Sequence, residues 1–246
     1  MLGLLYDTGS RIRFVATSSF RLPHGDDGFW RAWRAIDARH GRVLLHARVM
    51  ELGEPLFAVW NPITGEWRVL FTLGKYLAYC LKLRSWSAAV LCAGVACDHR
   101  DCHRRPFQVV IVSSNREQMD AFVYSSVTDE WRQPASSQLQ YHGARFHLVA
   151  SIAFVGSTLY FVFGAGTELL EYNLASHQMS VIDLPPTFSE QYSVCITTQD
   201  GRLGFARTED SKLHLWSREA GHDGDAGGHK VESLSSRGCF PPLNVT

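Results

Sequence analysis

A chain of 246 residues can hold one large all-β domain or two small ones, and with 46% hydrophobic and 20% charged residues it is not a disordered protein. Its 24 basic residues cancel its 24 acidic ones, so no net field favours nucleic acid or an anionic membrane, and neither is expected as a partner. No apolar run reaches the ~18 residues of a membrane span. The start, Met1-Leu-Gly-Leu-Leu-Tyr-Asp, lacks the basic flank of a signal peptide. The six cysteines, at 80, 92, 97, 102, 195 and 239, follow no small-scaffold spacing. A chain this long buries a core without disulfides. The expectation is an intracellular protein, cytoplasmic or nuclear, with reduced thiols.

Residues 2–7 and 13–20 are short apolar runs and read as a strand pair. Pro23-His-Gly-Asp-Asp-Gly is a loop, and Trp30 and Trp33 after it read as packing aromatics. Arg39-His-Gly turns into a strand from Arg42. The pattern then sharpens: Phe57-Ala-Val-Trp60, the turn Asn61-Pro-Ile-Thr-Gly65, and a return strand from Glu66-Trp67. Asn-Pro starts turns and Gly65 accepts positive φ, so this is a hairpin. Leu73 to Leu83 is expected to be a connection between blades; a helix is one reading of it, though its apolar spacing fits neither the helical nor the strand period cleanly.

The hairpin pattern returns. Tyr124 is followed by Ser-Ser-Val-Thr-Asp-Glu-Trp131, Tyr172 by Asn-Leu-Ala-Ser-His-Gln-Met179, and Trp216 by Ser-Arg-Glu-Ala-Gly. Strands at 87–96, 107–112, 148–155, 159–163, 180–184, 192–197 and 203–206 complete the units, with turns at Gly156-Ser, Gly164-Ala-Gly166 and Asp200-Gly. Several strands per roughly 40–50-residue repeat are the mark of a β-propeller. The fold class expected is therefore all-β, a propeller-like (kelch-like) array of antiparallel blades. About four blades are counted, one helped by the N-terminal pair, and the array is incomplete. Residues 1–222 form this domain. The tail 223–246 offers Gly, Asp, Ser and two prolines and is expected to be poorly ordered, without a strand. The ring would then stay open between the N-terminal pair and the 192–218 unit, and an open edge favours self-association.

Chemistry-bearing residues are few. Cys92-Ala-Gly-Val-Ala-Cys97-Asp-His99-Arg-Asp-Cys102-His103 crowds thiols and imidazoles, the ligands zinc prefers. It lacks the second knuckle of a structural zinc site, and Cys92 lies on an apolar strand as a core residue. No metal is expected at Cys97, His99, Cys102 and His103, and the stretch reads as a polar loop. Gly-x-Ser-x-Gly and His-Glu-x-x-His are absent. His40, His46 and His214 read as structural. Glu66, Glu130, Glu171 and Asp183 recur beside turns and read as blade elements. No catalytic or cofactor residue is assigned, so the chain is read as non-enzymatic.

Taken together, Asp37-Ala-Arg-His-Gly-Arg-Val-Leu-Leu, Val59-Trp-Asn-Pro-Ile-Thr-Gly-Glu-Trp, Cys97-Asp-His-Arg-Asp-Cys-His-x-x-Pro-Phe, Phe122-Val-Tyr-Ser-Ser and Leu213-His-Leu-Trp-Ser-Arg-Glu-Ala-Gly resemble the C-terminal region of grass F-box proteins over about residues 2–222. The resemblance implies a propeller-like domain that holds a protein substrate for a cullin-type ubiquitin ligase. The ligase adaptor would dock only on a longer form carrying an F-box. Three other readings are a truncated or non-functional relative, a metal-binding module through the Cys/His loop, and an enzyme on a propeller, which would need a constellation that the sequence does not display.

Overall fold

Strands dominate where β-branched and aromatic residues cluster between Gly-, Asn- and Asp-bearing turns. The computed structural model describes residues 3–7, 12–16, 33–48, 55–70, 75–83, 85–94, 97, 102–114, 118–138, 152–163, 168–184, 194–209, 212–218 and 231–235. The chain divides into two units, Met1–His142 and Gly143–Thr246.

In the first unit, β1 (Gly3–Asp7) and β2 (Ile12–Ala16) pair as a two-stranded sheet of their own. The first four-stranded sheet runs in chain order through β3 (Trp33–Arg39), β4 (Arg42–Arg48), β5 (Pro55–Trp60) and β6 (Trp67–Leu70). Helix α1 (Lys75–Leu83) leads to the second sheet, again in chain order: β7 (Ser85–Cys92), β8 (Phe107–Ser114), β9 (Gln118–Ser125) and β10 (Glu130–Gln138). All neighbours are antiparallel. One core joins Phe57, Val59 and Leu70 to Val90, Ile111 and Tyr124 and to Leu77, Cys80 and Leu81 of α1. Pro134 falls within a register break of the edge strand β10, where a missing N–H is tolerated.

The two sheets meet where β3 lies against β7. A bulge between Ala35 and Asp37 interrupts β3. The Asp37 carboxylate accepts the Val90 N–H at 3.0 Å and the Arg39 Nε–H at 2.9 Å. Burial, the strongest influence, raises its carboxyl above the usual range, while Arg39 and the Val90 amide pull it down.

The second unit repeats the scheme. β11 (Ile152–Val155), β12 (Thr158–Phe163), β13 (Glu168–Asn173) and β14 (Met179–Asp183) form one sheet. β15 (Val194–Thr197), β16 (Leu203–Glu209), β17 (Lys212–Arg218) and β18 (Val231–Ser235) form the other. Here the first strands are tied by Thr197, whose Oγ1 donates to the Phe154 carbonyl at 2.8 Å and accepts its N–H at 3.2 Å. Ala153, Val162, Leu169, Cys195, Leu203 and Phe205 are the core.

The four anchors expected from sequence occupy one position, on the third strand of each sheet. Trp60 stands between Val43 and Trp67, Tyr124 between Val109 and Trp131, Tyr172 between Leu159 and Met179, and Trp216 between Phe205 and Ser233. Trp60, Tyr124 and Tyr172 are 1%, 0% and 0% exposed. The turn after the first three anchors is also shared. Asn61 Oδ1 accepts the N–H groups of Ile63 and Thr64, Asn173 Oδ1 those of Ala175 and Ser176, and Ser125 Oγ that of Val127. Each turn then passes through a left-handed residue: Gly65 (φ 77), Asp129 (φ 57) and His177 (φ 57). Where the anchor is tyrosine, its hydroxyl reaches that residue, Tyr124 donating to Asp129 Oδ1 at 2.5 Å and Tyr172 lying 2.9 Å from His177 Nδ1.

The connection between the first two sheets is helical over 75–83, because Leu77, Cys80 and Leu81 share one buried helical face while Tyr76 and Tyr79 look outward. Two expectations are corrected. The tail supplies a strand after all, since Val231–Ser235 completes the fourth sheet by pairing with β17. The N-terminal pair belongs to no blade: four complete four-stranded sheets form without it. Trp30, Gly164–Gly166 and the remainder of 223–246 lie outside the described residues.

A Cβ built at Gly65 meets nothing within 4 Å, so substitution there costs only backbone conformation. Gly65→Ala should lower stability by about 1–2 kcal/mol, and Gly65→Asn by clearly less, because Asn visits the left-handed region. Urea denaturation midpoints of the two variants check this; equal losses would contradict the shared turn geometry.

Candidate functional site

The connection from β7 to β8 is the most chemically loaded segment described. Its base is closed by Ala93 N–H donating to the Pro106 carbonyl at 3.0 Å. A short 3-10 turn, Cys102–Arg104, follows, and Arg105 N–H donates to the Cys102 carbonyl at 3.0 Å. The sulfurs of Cys92, Cys97 and Cys102 lie within 4.8 Å of one another, and the Cys97 and Cys102 sulfurs are 3.1 Å apart. Cys102 is buried, and burial first, then hydrogen bonding with Cys97 and Cys92, pushes its thiol up to about 12.

The first sheet holds this segment down. Arg42 donates to the Arg105 carbonyl, and Asn61 Nδ2 donates to the His103 carbonyl at 2.8 Å. A Cβ at Gly41 (φ 72) would stand 3.0 Å from His103 Cβ, so glycine is needed there twice over. Asn61 thus caps its own turn through Oδ1 and grips the neighbouring blade through Nδ2. Its amide uses both donor and acceptor sides.

Beside the segment lies a cleft of about 640 Å³, lined by Arg42, Asn61, Glu66, Arg68, Arg105 and Phe107 among others. Phe107 forms its floor. The guanidinium carbons of Arg42 and Arg68 lie 5.2 and 5.9 Å from its ring centroid, within cation–π range. Arg68 also donates to the Ser126 carbonyl at 3.1 Å and to Asp129 Oδ1 at 3.2 Å. Burial is the first cause lowering the Arg42 pKa, and the three thiols and Glu66 oppose it. Arg104 and Arg105 are exposed at the rim, with the exposed apolar tips Ile63 and Val127 on the two adjacent turns.

Of the residues that sequence singles out, the structure brings together Cys97 and Cys102 and adds Cys92, which its strand position had assigned to the core. His103 contributes its carbonyl to Asn61, its ring is not part of the sulfur cluster, and His99 lies outside the described residues. Trp33 is a core aromatic, packed edge-on against Trp67 at 5.1 Å. His40 takes φ 53 in the β3–β4 turn, and the His46 ring packs against Phe57 and Trp86. Glu66 accepts from Thr64 at 3.1 Å and Glu171 from Ser180 at 2.9 Å, while Glu130 lies 3.9 Å from Arg132. Asp183 ends β14 and His214 stands in β17. Arg42, Asn61 and Arg68 as cleft residues, and Asp37 as a tie between sheets, carry no local sequence signal.

No family model matches the chain, and neither does a curated protein. Among solved structures it is similar to TolB from Acinetobacter baumannii at 11% identity and TM-score 0.45, covering 92% of this chain and 48% of that one. It is similar to the β-propeller domain of the Trilobed protease from Pyrococcus furiosus at 10% identity and TM-score 0.40, covering 81% and 55%. Apo AztD from Citrobacter koseri follows at 12% identity and TM-score 0.41, covering 94% and 54%. The chain spans about half the length of each of these proteins. The class defined by its four blade-like meanders is all-β and β-propeller-like. Among the described residues no helix is long and apolar enough to cross a membrane.

Asn61→Asp keeps the turn-capping oxygen and loses the donor to His103, whereas Asn61→Ala loses both. Asp should speed amide exchange in residues 102–106 while leaving the 61–66 turn protected. Ala should speed exchange in both and cost about 1–3 kcal/mol. Hydrogen-exchange mass spectrometry separates the two; identical profiles would contradict the dual role.

Proposed function

We propose that this chain is a non-enzymatic protein-interaction module that takes an acidic, partly apolar segment of its partner in the cleft of the first unit. The observation that carries the reading is the charge of that cleft. Arg42, Arg68, Arg104 and Arg105 line it against the single carboxylate of Glu66, in a chain whose formal net charge is zero. The partners of Arg42 and Arg68 are backbone carbonyls as well as Asp129, so positive potential is left over at the mouth. Phe107 supplies an apolar floor, and the exposed Val127 an apolar edge. A peptide presenting Asp or Glu beside Leu or Phe complements both features.

The resemblance to grass F-box proteins makes this the substrate-holding part of a ubiquitin-ligase receptor, acting in the cytoplasm or nucleus. The ligase adaptor would be reached only through an F-box on a longer form. Five thiols without a disulfide, at Cys80, Cys92, Cys97, Cys102 and Cys195, are in keeping with a reducing compartment.

Selection of random peptides displayed on phage against the whole chain tests the reading. Enriched peptides should be acidic, should bind less well as salt rises, and should lose at least about tenfold in affinity to Arg104→Glu/Arg105→Glu. Enrichment without acidic residues, or binding indifferent to that double reversal, would overturn it.

A further inference from the structure

We propose that Cys92, Cys97 and Cys102 form a binding site for one zinc-class, thiophilic cation, which locks the β7–β8 segment in place. Three thiols converge there from three points of the chain: the last residue of β7, the loop after it, and the 3-10 turn before β8. A Zn–S distance of about 2.3 Å in tetrahedral geometry sets the sulfurs about 3.8 Å apart. Those sulfurs lie within 4.8 Å of one another, the Cys97–Cys102 pair at 3.1 Å. Movements of about 1 Å or less would seat the ion.

The surroundings suit a metal thiolate. The backbone N–H of Gly94 donates to the Cys92 sulfur at 3.4 Å, as donors commonly do around bound sulfur. On binding, each thiol gives its proton to solvent, and three thiolates with a divalent cation carry one net negative charge. The guanidinium of Arg42, held on the Arg105 carbonyl, lies in electrostatic range of all three sulfurs and offsets that charge. Water or another donor takes the fourth position.

The consequence is local. Without the ion, two backbone hydrogen bonds and the grips from Arg42 and Asn61 hold the segment. With it, the segment becomes a cross-linked loop presenting His103, Arg104 and Arg105 at the cleft. The inference stands on the sulfur cluster and does not require the cleft to bind a peptide.

The test uses the whole reduced chain. Zinc titration followed by native mass spectrometry should show one tightly held equivalent, and cobalt should give an intense sulfur-to-metal charge-transfer band. Cys92→Ser, Cys97→Ser and Cys102→Ser should each weaken zinc binding by at least about tenfold, while Cys80→Ala and Cys195→Ala leave it unchanged. Should a serine variant fail to fold, alkylation of the wild-type chain decides: zinc should slow modification of Cys92, Cys97 and Cys102 together. Absence of zinc uptake by the folded reduced chain, uptake indifferent to Cys92→Ser, or protection that omits Cys92 would overturn the site. So would a Cys97–Cys102 disulfide that persists under reduction in place of metal.

Discussion

Burial of the third-strand aromatic constrains every blade described at this position. Trp60, Tyr124 and Tyr172 each remove a large ring from water. At about 25 cal/mol per Å² and 150–250 Å² per ring, that is worth on the order of 4 to 6 kcal/mol as an upper bound. The chain must then reverse at once and bring Trp67, Trp131 or Met179 back opposite the anchor. The turn that does so needs a left-handed residue, at about 1–2 kcal/mol for a side chain other than glycine. The burial is the larger quantity, so Asp129 and His177 hold that conformation, helped by bonds to the tyrosine hydroxyls.

The candidate site follows from these turns. Because the Asn61 and Ser125 turns belong to neighbouring sheets of one unit, side chains on them and on adjacent strands reach across. Asn61 reaches His103, Arg42 reaches Arg105, and Arg68 reaches Ser126. The ties that join the blades are mostly side chain to backbone, which are indifferent to the identity of the residue gripped. The β7–β8 connection is therefore anchored by its carbonyls, and its side chains are left to do chemistry.

The repeat was legible in sequence because anchor, polar cap and turn are local: Trp60-Asn61, Tyr124-Ser125, Tyr172-Asn173 and Trp216-Ser217 can be aligned by eye. Helix α1 was not, since nine residues with Leu77, Cys80 and Leu81 inward supply too few turns to separate the helical period from noise. β18 escaped because it joins β17 across a long Gly- and Asp-rich stretch, and ladder pairing asks for backbone more than for side chains. The sulfur cluster was half legible. Counting neighbours in sequence grouped Cys97 with His99, Cys102 and His103, whereas the hairpin returns Cys102 to the end of β7, beside Cys92. The basic cleft had no sequence signature, because Arg42, Arg68 and Arg105 come from separate segments of a neutral chain.

The four blades are equivalent in having a third strand paired on both sides. Hydrogen exchange across the whole chain tests that equivalence most directly, since strands paired on both sides open last. The slowest-exchanging peptides should include 55–60, 118–125, 168–173 and 212–218, with the edge strand 231–235 exchanging faster than 212–218 yet slower than an unprotected peptide. Full exchange of 231–235 at the unprotected rate, or of 212–218 well before the other three third strands, would contradict the fourth blade and with it the repeat.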